Sequence, residues 1–255
     1  MREVGVAAAR AAGELLRSRV DSIQEVRHKG VVDLVTDVDV ASEHLVSKAI
    51  LDVFPSHTIL GEEGGTLGGS DTQFRWLVDP LDGTTNYTHG FPLFCVSIGF
   101  EVDAELRFGA VYAPCQDELF VAEAGRGATL NGRPIHVSGV TELRQAMLAT
   151  GFPYDRDGAL VRALRSFDLL SHRAQAVRRV GSAALDLCYV ACGRFDAYWE
   201  HIVKPWDLGA GALIVREAGG HVSMTDGSAF SVDGGQVLTS NGRLHAAMVE
   251  ALAGI

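Results

Sequence analysis

Two aspartates in the segment 76–86 have the spacing of a metal-binding turn. Asp79 ends a run typical of a β-strand, Pro80 interrupts that run, and Asp82 closes the turn. Two carboxylates on one tight turn can reach two adjacent cations, and the Leu81 carbonyl between them can add an oxygen ligand of the kind that Mg²⁺ prefers. The turn therefore predicts a Mg²⁺ site. Taken alone, an Asp-Gly turn stabilised by its own side chains is an equally good interpretation.

The residues after Asp82 could bind a phosphate group. Gly83 lets the backbone approach an anion closely, because glycine has no side chain. Thr84, Thr85 and Asn86 offer amide and hydroxyl donors, and a helix beginning here would add the positive end of its dipole. We therefore expect a phosphate to lie beside the metal turn.

Two further acidic segments could contribute to the same site. Glu62 and Glu63 follow a short predicted strand within a glycine-rich loop, and alone they are better explained as a solvated charged loop. Asp33, Asp37 and Asp39 would share one face of an extended segment, because alternate residues of a strand point the same way. Capping of the following helix by Thr36 or Asp39 is an equally good interpretation.

Asp207 is the last acidic candidate, and it precedes a helix rich in small residues. Considered alone, its favoured interpretation is N-capping of that helix. The two roles are compatible, because a capping carboxylate keeps a second oxygen for a metal.

The composition indicates a folded protein without the features of a nucleic-acid or membrane binder. Of its 255 residues, 47% are hydrophobic and 21% are charged, and the formal net charge is −10. Such an acidic chain needs local positive charge to handle an anionic substrate, and a bound divalent metal is the obvious source. It contains no signal-peptide pattern and no run of ~18 apolar residues, so we expect a cytoplasmic protein. Its four cysteines lie in or beside apolar runs and are expected to be free thiols.

Hydrophobic periodicity divides the chain into two unlike halves. Residues 4–20 and 38–54 have helical spacing, and short strand patterns follow them. After about residue 144, strand and helix patterns alternate. We expect one catalytic unit over 1–255, with an α+β subdomain carrying the metal turn (1–143) and an α/β subdomain on the substrate side (144–255).

Together, and in this order, the segments resemble the inositol monophosphatase family. The likeness extends from about residue 28 to 222, and the ordered set is far more specific than any single motif. The matching motifs are Asp33-Leu34-Val35-Thr36-Asp37-Val38-Asp39, Gly61-Glu62-Glu63, Trp76 through Asn86, Val180-Gly181-Ser182-Ala183-Ala184-Leu185-Asp186, Glu200, Trp206-Asp207 and Glu217-Ala218-Gly219-Gly220.

The resemblance implies a metal-dependent phosphatase site with three groups of residues. The implied ligands of two or three Mg²⁺ ions are Glu62, Asp79, the Leu81 carbonyl, Asp82 and Asp207. The residues implied to orient or deprotonate the attacking water are Glu62, Asp39 and Thr84. The residues implied to bind the substrate are Asp82, Gly83, Thr84, Ser182, Ala183 and Glu200.

The resemblance also implies a layered α-β-α-β-α sandwich of mixed α+β and α/β character, a homodimer and lithium sensitivity. The expected reaction is Mg²⁺-dependent hydrolysis of a small polyol or sugar phosphate, first of all inositol 1-phosphate, by water and without a phosphoenzyme. Fructose 1,6-bisphosphate, NADP, nucleotide 2′- or 3′-phosphates and histidinol phosphate are alternatives, because related enzymes use the same metal turn. The roles of Lys29, Arg178, Arg179 and Lys204 stay open.

Two rival interpretations accompany this prediction. Haloacid dehalogenase-like phosphatases also have an Asp-Gly-Thr signature, but one residue separates their aspartates, whereas two separate Asp79 from Asp82. We therefore predict no covalent phosphoaspartate. The non-enzymatic alternative is a regulatory partner of RNA-processing or transcription machinery, as some family members are. The sequence has no basic stripe or aromatic platform that would support it.

Overall fold

The computed structural model describes residues 1–20, 26–28, 34–69, 71–153 and 158–255, with only the backbone at 26–28 and 34–36. Lys29 and Asp33 lie outside the described residues. The helices are α1 (Arg2–Arg19), α2 (Asp37–Leu51), α3 (Thr84–Thr88), α4 (Gly158–Ser171), α5 (Ala183–Ala191), α6 (Pro205–Glu217) and α7 (His245–Leu252). The strands are β1 (Val26–His28), β2 (Leu34–Thr36), β3 (His57–Gly61), β4 (Gly65–Gly68), β5 (Asp71–Asp82), β6 (Cys95–Val102), β7 (Glu105–Ala113), β8 (Glu118–Glu123), β9 (Ala128–Leu130), β10 (Arg133–Pro134), β11 (Met147–Thr150), β12 (Ala176–Arg178), β13 (Ala197–Glu200), β14 (His221–Ser223) and β15 (Val237–Ser240).

The larger sheet has eight strands in the order β10-β9-β8-β7-β6-β5-β3-β4. Neighbouring strands pair antiparallel except β3 and β5, which run parallel. Side chains alternate along a strand, so Trp76 and Val78 of β5 pack on one face of the sheet and Leu77 packs on the other. The metal turn predicted from the sequence lies at the end of this central strand.

The smaller sheet has five strands in the order β12-β11-β13-β15-β14. Strands β12, β11 and β13 run parallel, whereas β15 is antiparallel to both β13 and β14. Strands β1 and β2 form a separate antiparallel pair. The second half of the chain is therefore a mixed sheet with helices on its two faces.

The elements stack in five layers. Helices α1 and α2 pack on one face of the larger sheet, α5 and α6 fill the space between the sheets, and α4 and α7 cover the far face of the smaller sheet. Each junction has its own hydrophobic core: Trp76 and Phe100 lie in the first, Leu187 and Leu213 in the middle one, and Trp199 in the third. The predicted layered sandwich is confirmed.

The local predictions differ from the structure in several places, including the following two. The pattern predicts that the strand ends at Asp79-Pro80, but β5 continues to Asp82 with a shift of register between Asp79 and Asp82. Such a bulge tolerates Pro80, because its missing N–H is not needed in the regular ladder. Strands β14 and β15 and helix α7 are absent from the prediction, since strands of three and four residues show little periodicity.

Glycines allow α6 to lie close to the larger sheet. A Cβ built on Gly99 of β6 would lie 2.9 Å from the carbonyl carbon of Gly209 in α6. A Cβ on Gly109 of β7 would lie 2.7 Å from the Ala210 carbonyl oxygen. Backbone atoms cannot move away as a flexible side chain can, so these contacts set the distance between the sheet and α6, the helix that contains Asp207.

We expect Gly99→Ala to lower the free energy of unfolding by about 1–3 kcal/mol, because its methyl group overpacks the contact with α6. Gly139→Ala is the matched control, since a Cβ there meets no atom within 4 Å. Its stability should change by less than about 0.5 kcal/mol or rise slightly. Urea denaturation measures both variants, and equal stabilities would contradict the close approach.

Candidate functional site

A cleft of about 450 Å³ is lined by residues from both halves of the chain. The predicted site residues that line it are Glu62, Asp79, Leu81, Asp82, Gly83, Thr84, Ser182, Ala183, Glu200 and Asp207. Of the predicted site residues, Asp39 alone is not in this wall. The structure therefore brings together motifs that lie far apart in the sequence.

The bulge at the end of β5 presents two carboxylates to the cleft. Asp79 is only 2% exposed, and its Oδ1 accepts a hydrogen bond from the Leu81 N–H at 3.0 Å. Asp82 Oδ2 accepts hydrogen bonds from the Ser182 hydroxyl and the Ala184 N–H, each at 2.7 Å. These bonds attach the turn to the start of α5, in the other half of the chain.

The acids of the cleft raise one another's pKa. Burial raises the pKa of Asp79 well above its usual range, and three neighbouring charges raise it further: Glu62, Asp82 and Asp207. Burial, with the charge of Asp82, raises the pKa of Asp207 to about 7. With this pKa, Asp207 keeps a proton below about pH 7, because its ionised form is unfavourable beside the other acids. A divalent cation can take the place of that proton, so these oxygen donors fit a hard metal.

In the part of the chain that the structure describes, no three Asp, Glu, His or Cys side chains are already grouped as a complete metal site. Three of these side chains are instead bonded to the protein: Asp79 to the Leu81 N–H, Asp82 to Ser182, and Asp207 to the Lys204 N–H at 2.8 Å. Like charges at short range repel strongly where water is scarce. The chemistry of the donors therefore suits a cation, whereas their side chains would have to close around it.

Gly83 and Thr84 form the start of α3 at the edge of the cleft. Gly83 has a φ of 96°, and a Cβ there would lie 3.0 Å from the Leu93 carbonyl oxygen, so glycine is required. The Thr84 hydroxyl lies 3.1 Å from the Leu81 carbonyl oxygen and 3.4 Å from Asp39 Oδ1. Asp39 is fully buried behind Thr84. Through that hydroxyl, Asp39 is connected to the wall of the cleft.

Two predicted placements near this turn are wrong. Asp37 and Asp39 do not share a face, because both lie in the first turn of α2, where Asp37 is exposed and Asp39 is buried. Asn86 does not offer its side-chain amide to a phosphate. Its Nδ2 donates to the carbonyl oxygens of Leu93 and Val180, at 2.7 and 2.9 Å. The Asn86 side chain instead connects the two halves of the chain.

The position of Asp207 before a small-residue helix predicts that it is the N-cap of α6, but this prediction is wrong. The helix begins at Pro205 with Lys204 at the N-cap, and the Asp207 carboxylate accepts a hydrogen bond from the Lys204 N–H. An acid at the third helical position commonly bonds back to the cap in this way. Asp207 therefore stabilises the start of α6 from inside the helix.

Glu62 lies in the turn between β3 and β4, and a residue of α2 holds this turn. The buried Glu43 carboxylate accepts hydrogen bonds from the N–H groups of Glu63, at 2.8 Å, and Gly64, at 2.6 Å. A Cβ on Gly61 would overlap Glu43 Oε2, so glycine leaves room for this carboxylate. Glu43 is not predicted from the sequence, because an acid within an amphipathic helix usually faces solvent.

Glu200 extends from the end of β13 into the cleft. Its Oε2 accepts a hydrogen bond from the Tyr198 hydroxyl, and burial raises the pKa of Glu200 to about 7. Gly151 lies against this carboxylate, and a Cβ at Gly151 would overlap its oxygens. Glu200 is therefore confined on two sides.

Comparison with known proteins assigns this arrangement to a family. The model of the inositol monophosphatase family matches residues 1–255. The chain belongs to the inositol monophosphatase family. It is 46% identical over 252 residues to an inositol-1-monophosphatase of Synechocystis sp., covering 98% of this chain and 88% of that protein. It is 42% identical over 256 residues to the Nus factor SuhB of Pseudomonas aeruginosa, covering 98% and 94%. The solved structure of an inositol monophosphatase from Anabaena has a TM-score of 0.87 at 43% identity, covering 99% of this chain and 95% of that one.

Family membership confirms the predicted resemblance and enzyme class. The chain is a phosphoric monoester hydrolase of the inositol monophosphatase family, in which dependence on metal ions is general. All four cysteines are described, and none forms a disulfide, as predicted. Among the described residues, no helix has both the length and the apolar character needed to span a membrane.

The cleft of this family member also contains charged residues that its motifs do not mark as site residues. Asp186, Arg179 and Lys204 all line it. Asp186 lies in the apolar helix α5, and an ionisable residue in such a helix is a signal that could have found it. Arg178 lies outside this wall, and its guanidinium donates to the Val177 carbonyl at 3.2 Å. The two adjacent arginines therefore have different surroundings.

We expect Glu43→Ala to lower the free energy of unfolding by about 2–3 kcal/mol, because two N–H groups of the Glu62 turn lose a charged acceptor. Glu14→Ala, at an exposed position of α1, is the matched control and should change stability by less than about 0.5 kcal/mol. Urea denaturation compares the two variants. Equal losses would show that Glu43 does not hold the turn.

The raised pKa of Asp207 predicts a pH-dependent stability difference in metal-free protein. Folding raises this pKa from an ordinary 3.8 to about 7, so between these values the folded state holds the extra proton. The contribution of Asp207 to stability therefore falls as the pH rises through this window. In EDTA, the free energy of unfolding of Asp207→Asn minus that of wild type should increase as the pH rises from about 4.5 to 7.5. Above about pH 8 this difference should stay constant. Thermal or urea unfolding measures this, and a difference that is constant over the lower pH range as well would contradict the raised pKa.

Proposed function

We propose that this chain hydrolyses a small polyol or sugar phosphate monoester, with inositol 1-phosphate as the first candidate substrate. The observation that carries the proposal is one group of mutually repelling acids in the cleft: Glu62, Asp79, Asp82 and Asp207. These carboxylates repel a phosphate until positive charge is bound among them. With that charge bound, the same cleft attracts a phosphate group.

We assign the cation to Mg²⁺, with two or three ions per site. The proposed ligands are Glu62, Asp79, the Leu81 carbonyl, Asp82 and Asp207. Carboxylate and carbonyl oxygens are the donors that a hard cation prefers. When bound, Mg²⁺ lowers the pKa of water and balances the charge that develops on the phosphate and leaving oxygens.

The residues around Thr84 are suited to orient the attacking water. The Thr84 hydroxyl lies 3.4 Å from the buried Oδ1 of Asp39. A hydroxyl that donates to Asp39 keeps its lone pairs for a water in the cleft. We propose that Glu62, on the neighbouring hairpin turn, accepts the proton of that water. Direct attack by water leaves no covalent phosphoenzyme.

The remaining predicted residues bind the substrate in this proposal. The N–H groups of Gly83 and Thr84 hold phosphate oxygens, as backbone donors at the start of a helix do in other proteins. The alcohol moiety contacts Asp82, Ser182, Ala183 and Glu200. Asp82 is shared between the two sets, since its Oδ2 is bonded to Ser182 at 2.7 Å.

The organisation of the chain is part of the same proposal. We propose a single catalytic unit over 1–255 in which a subdomain of residues 1–143 supplies the metal turn and a subdomain of residues 144–255 supplies the substrate side. A homodimer, lithium sensitivity and a cytoplasmic location are proposed on the family resemblance alone.

A regulatory role is the second candidate, because the Pseudomonas aeruginosa relative is named Nus factor SuhB. In that case the chain acts as a partner of RNA-processing or transcription machinery. The acids of the cleft would then not be needed for its function in the cell.

The test is phosphate release with Mg²⁺ and with EDTA from inositol 1-phosphate, fructose 1,6-bisphosphate, NADP, a nucleotide 2′-phosphate and histidinol phosphate. We expect Mg²⁺-dependent turnover, strongest with inositol 1-phosphate. Asp79→Asn should lower kcat about a hundred-fold or more, because it removes a charge from the proposed ligand set. Asp52→Asn, at an exposed position after α2, is the matched control and should keep the wild-type kcat.

Each other outcome has a defined meaning. A preference for another ester on the panel would change the substrate and keep the mechanism. Turnover that survives EDTA would overturn the metal assignment, and a phosphoaspartate trapped at Asp79 or Asp82 would overturn direct attack by water. Folded protein that turns over no ester would favour the regulatory role.

A further inference from the structure

Asp186 is a buried carboxylate in the cleft wall with an unused hydrogen-bonding atom. It lies in α5, is 1% exposed and lines the cleft. Its Oδ1 has no hydrogen-bond partner among the described residues. A buried carboxylate oxygen without a donor costs free energy, because it has lost its water and gained nothing in exchange.

The stability of helix α5 does not require a buried acid at Asp186. Ser182 already caps α5, because its hydroxyl accepts a hydrogen bond from the Leu185 N–H at 3.3 Å. An acid near a helix N-terminus is favourable to the dipole, but an exposed acid there gains the same benefit without desolvation. Asp186 therefore brings α5 a cost that its local structure does not require.

The charges around Asp186 add to this cost. The charges of Glu200 and Asp82 act on Asp186 as repulsive neighbours, whereas Arg179 acts as an attractive one. Arg179 and Glu200 line the same cleft. A carboxylate that two charges repel, and whose buried Oδ1 has no donor, is better accounted for by a ligand than by folding.

The neighbouring Glu200 carboxylate is already fixed in place. The Tyr198 hydroxyl donates to its Oε2. The carboxylate also lies against Gly151, in space that a Cβ on Gly151 would fill. Asp186 on α5 and Glu200 on β13 are thus two acceptors on separate elements facing one cavity. Hydroxyl groups are the neutral donors that such a pair of acceptors can bind without a further cation.

We infer that Asp186 is a specificity-determining residue that accepts a hydrogen bond from a hydroxyl group of the substrate's alcohol moiety, beside a second hydroxyl bound by Glu200. This inference rests on the phosphatase function proposed above and names the alcohols that it favours. The cleft selects phosphate esters of alcohols with several hydroxyl groups. Esters of alcohols that have no hydroxyl group besides the esterified one leave Asp186 unpaired and are bound less well.

The test compares Asp186→Leu and Asp186→Asn with wild type on inositol 1-phosphate and phenyl phosphate, at saturating Mg²⁺. For Asp186→Leu, we expect kcat/KM for inositol 1-phosphate to fall about 10- to 100-fold, mainly through KM, because the hydroxyl loses its acceptor. For phenyl phosphate, kcat/KM should fall less than about threefold. Asp186→Asn keeps one acceptor oxygen, so its kcat/KM for inositol 1-phosphate should lie between the values of Asp186→Leu and wild type.

Thermal unfolding of metal-free protein supplies a readout that does not depend on activity. Replacing this buried, unsatisfied carboxyl group by an apolar side chain should raise the Tm of Asp186→Leu by a few degrees. Asp168→Asn, at an exposed position of α4, is the matched control and should leave both the Tm and the ratio of the two substrates unchanged.

The outcomes separate this inference from the proposed function. If wild type hydrolyses the esters but the variants keep its ratio of inositol 1-phosphate to phenyl phosphate, Asp186 has only a structural role and the inference is wrong. A lower Tm in both variants would also contradict it, since Asp186 would then have a partner in the protein. If wild type hydrolyses neither of these two esters nor any ester of the earlier panel with Mg²⁺, the proposed function itself fails, and the inference fails with it.

Discussion

Repulsion between carboxylates in one cleft is the constraint on which the rest of this structure depends. Asp79 is buried, and its charged neighbours raise its pKa further. Such a group of acids is unfavourable in a folded chain unless protons or cations neutralise it. Three elements around the cleft hold these acids in place. The bulge of β5 holds Asp79 and Asp82, the hairpin turn holds Glu62, and the first turn of α6 holds Asp207.

The two halves of the chain hold these acids jointly. Asp82 and Ser182 are 100 residues apart in sequence and joined by a hydrogen bond of 2.7 Å. Asn86 donates to the Val180 carbonyl at 2.9 Å. The turn that carries the acids is therefore attached to the start of α5, so hydrogen bonds hold the two sides of the cleft together. Proteins favour such rigid support where a reaction needs close positioning.

The rest of the fold must supply the stability that this cleft removes. Three separate cores between the layers do so through large buried side chains such as Trp76, Phe100 and Trp199. Close packing of α6 on the larger sheet at Gly99 adds to the same rigidity. Local disadvantages concentrated at a functional site within a well-packed fold are common in enzymes.

The sequence by itself determined the layered fold, the enzyme class and which motifs contain the acids of the cleft, because its ordered motifs resemble those of the inositol monophosphatase family. It did not determine how Asp207 is used within α6, that Asp37 and Asp39 point apart, or where Asn86 donates. Nor did it mark Glu43 and Asp186. Only the tertiary structure decided these, because whether a buried acid has a partner depends on which distant segments the fold brings beside it.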